Sequence, residues 1–170
     1  ILEGGVTINN MNQLGGTIYF QPTSSGTVAN YSFAAGWIYN TSTAINITNM
    51  NWTGGTFFAN ADGSLGALGS NITVPAGAAL SIGATQTSLP TMITVNAYGA
   101  LAGDMTGADY EGDGKNVTLN EDAIFNASAG PVPTRTELGG TILFEAVANP
   151  NTGGPYVYGD NGIDTIYKGF

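Results

Sequence analysis

A sixteen-residue phrase returns along the chain, and few folds accommodate such a return. Residues 6–21 read VTINNMNQLGGTIYFQ and residues 45–60 read INITNMNWTGGTFFAN. The two phrases lie 39 residues apart and are identical in register at seven positions: Ile8/Ile47, Asn10/Asn49, Met11/Met50, Asn12/Asn51, Gly15/Gly54, Gly16/Gly55 and Thr17/Thr56. Tyr19 falls opposite Phe58. The Gly-Gly-Thr core comes back at Gly139-Gly140-Thr141, followed by Ile142-Leu143-Phe144. Each copy reads as an apolar strand, a polar Asn-rich turn, a Gly-Gly break and a second apolar strand. Self-similarity at a period of tens of residues marks stacked supersecondary units.

A tighter pattern begins at Asn71. It reads NITVPAGAALSIGA from Asn71, MITVNAYGALAGDM from Met92 and NVTLNEDAIFNASA from Asn116, at steps of 21 and 24 residues. The aligned positions are Ile72/Ile93/Val117, Thr73/Thr94/Thr118, Val74/Val95/Leu119, Ala78/Gly99/Ala123, Ala79/Ala100/Ile124 and Leu80/Leu101/Phe125. A β-branched residue, Thr and an aliphatic residue form a half-buried strand. The small residue that follows marks a corner into the next face.

No segment carries helical periodicity, and Gly and β-branched residues are too frequent for helix. Residues 21–30 read as a loop, with Pro22 and Gly26 as breakers. The expected fold is all-β, a single domain over residues 1–170, with repeats at 6–21, 45–60 and 71–128. A coil of roughly 20–25 residues with two strands favours a β-solenoid-like stack of short strands. The alternative is a β-sandwich or jelly roll in which the repeats are similar hairpins.

Charge narrows the function classes. Only Glu3 and Asp62 are charged among the first 103 residues, while the other ten acids and all three bases lie from Asp104 onward. The first hundred residues must therefore be wetted by Asn, Thr, Ser and Gly, or be covered by glycans or neighbouring subunits. The net charge of −9 argues against nucleic acid and anionic membrane, whose phosphates call for Lys and Arg. There is no run of 18 apolar residues and no initial Met, so neither a membrane span nor a signal peptide is expected in the sequence as it stands. Without cysteine there is no disulfide framework.

Seven N-x-[ST] sequons are present, at Asn30, Asn40, Asn46, Asn51, Asn71, Asn116 and Asn126. With 17 Asn and 30 Ser or Thr in the chain, composition alone yields roughly three. The excess points to N-glycosylation of an extracellular protein, and turn Asn followed by strand Thr is the plainer explanation. The acidic loop GDMTGADYEGDGKN places Asp109, Glu111 and Asp113 at alternate positions before Gly114, with Asp104 upstream. Alternating carboxylates in a curled loop suit a hard cation such as Ca²⁺. The loop departs from the EF-hand form at Glu111 and at Asn120, where a bidentate Glu would stand. An ordinary solvated acidic loop is the competing reading.

Enzyme chemistry has little to stand on. With no His and no Cys, triads, imidazole bases and the common zinc sites are out of reach. The Gly-Gly pairs precede neither Lys nor helix, so they read as backbone corners rather than phosphate loops. Aromatic residues crowd the first third: Tyr19, Phe20, Phe33, Trp37, Tyr39, Trp52, Phe57 and Phe58. Most belong in a core, but the adjacent Phe57 and Phe58 must face opposite ways in a strand.

Phrases such as ITVNAYGALAG and NITVPAGAALS resemble the repetitive β-solenoid segments of bacterial and archaeal surface proteins, among them autotransporter passengers, adhesins, sheath and S-layer subunits. The resemblance spans most of residues 71–128 and rests on composition. It implies a secreted structural or adhesive role and supplies no catalytic residue. The expectation is a subunit of an extracellular filament, sheath or surface layer, self-assembled through β-strand contacts and N-glycosylated. An adhesin or carbohydrate-binding module with an outward aromatic face is the alternative.

Overall fold

The computed structural model describes residues 5–83, 92–104, 116–120, 123–129, 135–137 and 141–144. Fourteen strands run through them: β1 (Val6–Gln13), β2 (Thr17–Phe20), β3 (Ser25–Phe33), β4 (Trp37–Asn40), β5 (Ala44–Trp52), β6 (Gly55–Ala59), β7 (Asn71–Val74), β8 (Ala78–Ile82), β9 (Met92–Val95), β10 (Ala100–Asp104), β11 (Asn116–Leu119), β12 (Ile124–Ala129), β13 (Arg135–Glu137) and β14 (Thr141–Phe144). The only helical element among the described residues is a 3-10 turn, Ser64–Leu68.

The even-numbered strands form one continuous seven-stranded sheet in chain order. The odd-numbered strands form two blocks, β1-β3-β5 and β7-β9-β11-β13. Every pairing among the described residues is parallel. Parallel neighbours need a crossover between them. Here the crossover is the strand on the opposite side, so the chain winds as a β-solenoid. A sandwich or jelly roll would pair its strands antiparallel, and that alternative is set aside.

The pairing register explains the 39-residue repeat. Val6 lies beside Gly26, and Gly26 beside Ile45, so the first two coils take 20 and 19 residues. The repeated phrase therefore recurs every second coil. The coil between them, residues 26–41, keeps the backbone marks of its neighbours. Asn30 sits between Asn10 and Asn49, and Gly36 has positive φ like Gly16 and Gly55. Its side chains differ, with Tyr31, Phe33 and Trp37 where the first coil has Met11, Gln13 and Thr17. The loop expected over 21–30 is correspondingly shorter, because β3 begins at Ser25. Gly26 is a strand residue with φ 144°, and a Cβ there would lie 2.2 Å from the Val6 carbonyl oxygen. It is glycine because two coils approach closely, not because the chain breaks.

From Asn71 onward, the register follows the sequence alignment. Ile72, Ile93 and Val117 are lateral neighbours, as are Ala79, Ala100 and Ile124. Each coil rises by about one strand spacing, roughly 4.8 Å.

Columns of apolar side chains fill the interior. Ile38, Phe57, Leu80 and Leu101 line up across the seven-stranded sheet and are fully buried. On the opposite side the inward positions of β3 are Val28, Tyr31 and Phe33. The step from 28 to 31 shows that the strand's inward phase slips once. The slip falls beside Asn30, where the ladder also omits the Ala29 pairings. Each long strand thus turns a corner at its Asn.

The seven-stranded sheet is unbroken, but the other wall is not. Among the described residues, β5 pairs only with β3, and β7 only with β9. Between them the 3-10 turn takes the place of the first half of the next long strand and buries Leu65 and Ala67. A crevice of ≈ 260 Å³ remains at this seam, lined by Ile47, Met50, Trp52, Leu68 and Ile72 among others.

Candidate functional site

Among the described residues, β1 is bonded only to β3, and β2 only to β4. Side chains that are covered in later coils are half-exposed here. Ile8 and Ile18 are only partly buried, whereas their neighbours Val28 and Ile38 are fully buried. Val6, Leu14 and Tyr19 are exposed apolar groups on the same coil. No charged residue lies between Glu3 and Asp62.

Two side-chain ladders cross the first three coils. The first is at the corner. Asn49 Nδ2 donates to Asn30 Oδ1 at 3.1 Å and to the Ala29 carbonyl at 3.2 Å. Asn30 Nδ2 repeats the pattern on Asn10 Oδ1 at 3.2 Å and on the Asn9 carbonyl at 3.1 Å. A carbonyl oxygen can only accept, so these backbone contacts fix which amide atom is nitrogen. The ladder has a direction, with donors facing the first coil. A shallow polar groove lined by Asn10, Asn12, Asn30, Asn49 and Asn51 lies over it.

The second ladder is aromatic, on the outer face of the seven-stranded sheet. Tyr19 and Tyr39 stack with ring centroids 5.2 Å apart and planes 13° apart. Tyr39 and Phe58 stack at 4.3 Å and 5°. Lateral neighbours in a parallel sheet stack faces along the solenoid axis, which leaves their edges to solvent. Tyr39 has both faces covered, by Tyr19 and Phe58, while Tyr19 is 61% exposed. Trp37 stands alongside as a further exposed ring.

The remaining aromatics are interior. Phe33 stacks on Trp52 at 6.1 Å, and Trp52 Nε1 donates to the Gly54 carbonyl at 3.0 Å. Trp52 is therefore not part of an outward face.

The sequon residues are scattered. Asn30, Asn46, Asn51 and Asn71 are exposed. Asn30 spends its amide nitrogen on the ladder. Asn40 is fully buried, with Nδ2 bonded to the Ser64 carbonyl at 2.7 Å and Oδ1 accepting from the Ser42 amide. A glycan on Asn40 is incompatible with this packing. Asn116 and Asn126 lie on β11 and β12. Of the acidic set, Asp104 ends β10, and Asp109, Glu111 and Asp113 lie outside the described residues. Among the described residues no group of three or more His, Cys, Asp or Glu converges as a metal site. No helix there is long and apolar enough to cross a membrane.

The Asn ladder escapes sequence reading because its middle rung lies in the divergent coil. Asn10 and Asn49 stand in register in the repeated phrase, but Asn30 becomes their neighbour only once the coil length is known. No family model, curated protein or solved structure matches this chain.

Proposed function

We propose that the protein is a structural subunit of an extracellular assembly, a filament, sheath or surface layer, held by β-strand contacts between copies. The observation that carries this reading is a parallel β-solenoid with no charge between Glu3 and Asp62 that exposes Leu14, Tyr19 and Trp37. Uncharged surfaces with exposed aromatic groups favour contact between copies. The exposed sequons at Asn46, Asn51 and Asn71 give such a surface a way to carry glycans. Calcium at the acidic loop around Asp104, Asp109, Glu111 and Asp113 belongs to the same proposal. Millimolar Ca²⁺ should then raise the melting temperature, and an unchanged Tm removes the ion from it.

Electron microscopy of native material, paired with intact mass, tests the reading. Ordered filaments or sheets with mass above the 17.3 kDa chain support a glycosylated structural subunit. A monomer that survives concentration overturns it. The exposed Trp37, two residues from Tyr39 on β4, supports a second reading, an adhesive module for neutral carbohydrate. Glycan-array binding lost on Trp37→Ala would favour it.

A further inference from the structure

We infer that a glycan carried by Asn71 seats its first sugar in the crevice between β5 and β7, covering the place where the second wall is interrupted. The inference rests on the glycosylated assembly read above, and adds which sequon carries the sugar and what the sugar does there. Five sequons fall within residues 5–83, at Asn30, Asn40, Asn46, Asn51 and Asn71. Packing withdraws two of them. Asn40 is buried against the Ser64 carbonyl, and Asn30 holds its amide nitrogen in the ladder. Asn46, Asn51 and Asn71 are exposed, and their side-chain amides make no hydrogen bond to another described residue. These three motifs meet at the crevice. Ile47 and Thr48 of the first, Trp52 of the second, and Asn71, Ile72 and Thr73 of the third all line it. Of the three asparagines, Asn71 is the one that itself lines the space.

The crevice is a poor site for a free molecule and a good one for a tethered group. At ≈ 260 Å³ it is smaller than the ~300–1,000 Å³ clefts that enclose free ligands. A short covalent tether replaces free association with an effective concentration on the order of millimolar, so weak contacts suffice. The lining joins aliphatic and aromatic side chains to the hydroxyls of Thr48 and Thr73, with no charged residue. A neutral sugar ring matches it, with C–H faces for the apolar groups and hydroxyls for the threonines. Left open, the apolar lining has no partner atoms on one side. Attachment forms a bond from Asn71 Nδ2 to the anomeric carbon of a glycosyl phosphate donor supplied by the producing cell. The phosphate leaves with the electron pair of the broken C–O bond, and Nδ2 gives up one proton to base. Thr73, two residues on, completes the acceptor motif.

The test uses the full chain made in its native cell, carrying Trp37→Phe so that Trp52 is the sole tryptophan. Thr73→Val removes the acceptor motif and keeps Asn71 and the β-branched shape, while Thr73→Ser keeps the motif. Thr73 is exposed on β7, so neither change disturbs the core. Peptide mapping reads occupancy of Asn71, and acrylamide quenching of Trp52 reads cover of the crevice. Asn71 should be occupied in the parent and in Thr73→Ser. The quenching constant should be about twofold higher in Thr73→Val than in either, because the uncovered seam opens more readily. Made in cells without N-glycosylation, parent and Thr73→Val should quench alike at the higher value. A difference between those two assigns the effect to the substitution and overturns the inference. Equal quenching with Asn71 occupied overturns the seating and leaves the glycosylated reading standing. Asn71 bare with Asn46 or Asn51 occupied overturns the inference in the same way. All three bare overturns both.

Discussion

The phenolic hydroxyl of Tyr31 donates to Oε1 of Gln13 inside the solenoid, where both side chains are buried. Gln13 occupies the column position that Phe33 and Trp52 hold in the next two coils. Its amide nitrogen reaches the carbonyls of Gly16 at 3.3 Å and Trp37 at 3.1 Å, so the polar side chain is satisfied at both ends. Removing one partner orphans the other. Tyr31→Phe or Gln13→Leu alone should cost about 1–3 kcal/mol, while the double variant should recover most of that loss. Denaturant melts of the four proteins give the coupling directly, and additive losses would refute the pairing.

Burial also pushes the Tyr31 phenol well above its ordinary range. A group whose folded pKa is raised contributes its full stability below the unfolded pKa and loses it as pH climbs. Stability should therefore fall above pH ~10, by about 1.4 kcal/mol for each pH unit until the folded phenol itself ionises. The Tyr31→Phe/Gln13→Leu protein should lack this part of the alkaline slope. Equal slopes in both proteins would show that Tyr31 does not drive it.

Gly36 and Gly15 should respond oppositely to alanine. A Cβ on Gly36 would sit 2.2 Å from the Gly16 carbonyl oxygen at φ 94°, against backbone that cannot move without parting two coils. Gly36→Ala should lose well over ~1 kcal/mol, and Gly15→Ala, with nothing within 4 Å, should change stability by under ~1 kcal/mol. Matched urea titrations decide the comparison, and similar midpoints would contradict the close approach.

Asn30→Asp sets a carboxylate oxygen where Nδ2 now meets Asn10 Oδ1 and the Asn9 carbonyl. It still accepts from Asn49 on its other side. The variant should lose roughly 1–3 kcal/mol at neutral pH, with part of the loss relieved below pH ~4 as the carboxyl gains a proton. A melting temperature with the same pH profile as wild type would mean that the ladder contributes little.

Occupancy of the sequons should divide by burial. Peptide mapping of native material should find Asn40 bare, because its amide is enclosed between Ser64 and Ser42. Asn46 and Asn71 are open to modification. A glycan on Asn40 would require a different arrangement of β4 and the turn after it.

Much of the coil geometry was legible in the residues because identical roles demand similar side chains. Thr73 beside Thr94, and Leu80 beside Leu101, are packed in the order in which the sequence aligns them. The true coil length in the first part was hidden. The second coil fills the same backbone with Tyr31, Phe33 and Trp37, and backbone pairing tolerates that exchange while a residue-by-residue match does not. The direction of the asparagine ladder was hidden too, because it depends on amide orientation, which follows from which carbonyl lies one coil away.

The seam between β5 and β7 makes the two walls mechanically unequal. At that level the seven-stranded sheet carries its backbone bonds across from β6 to β8, while the facing wall has a crevice and the 3-10 turn in place of a paired strand. Bending toward or away from the crevice works against side-chain packing alone, and bending elsewhere must stretch backbone bonds on both walls. Among the described coils this level is therefore a compliant joint, with the continuous sheet as its leaf spring. A load pulling along the axis concentrates there, and under tension the coils before β6 and those after β8 should part at that level first.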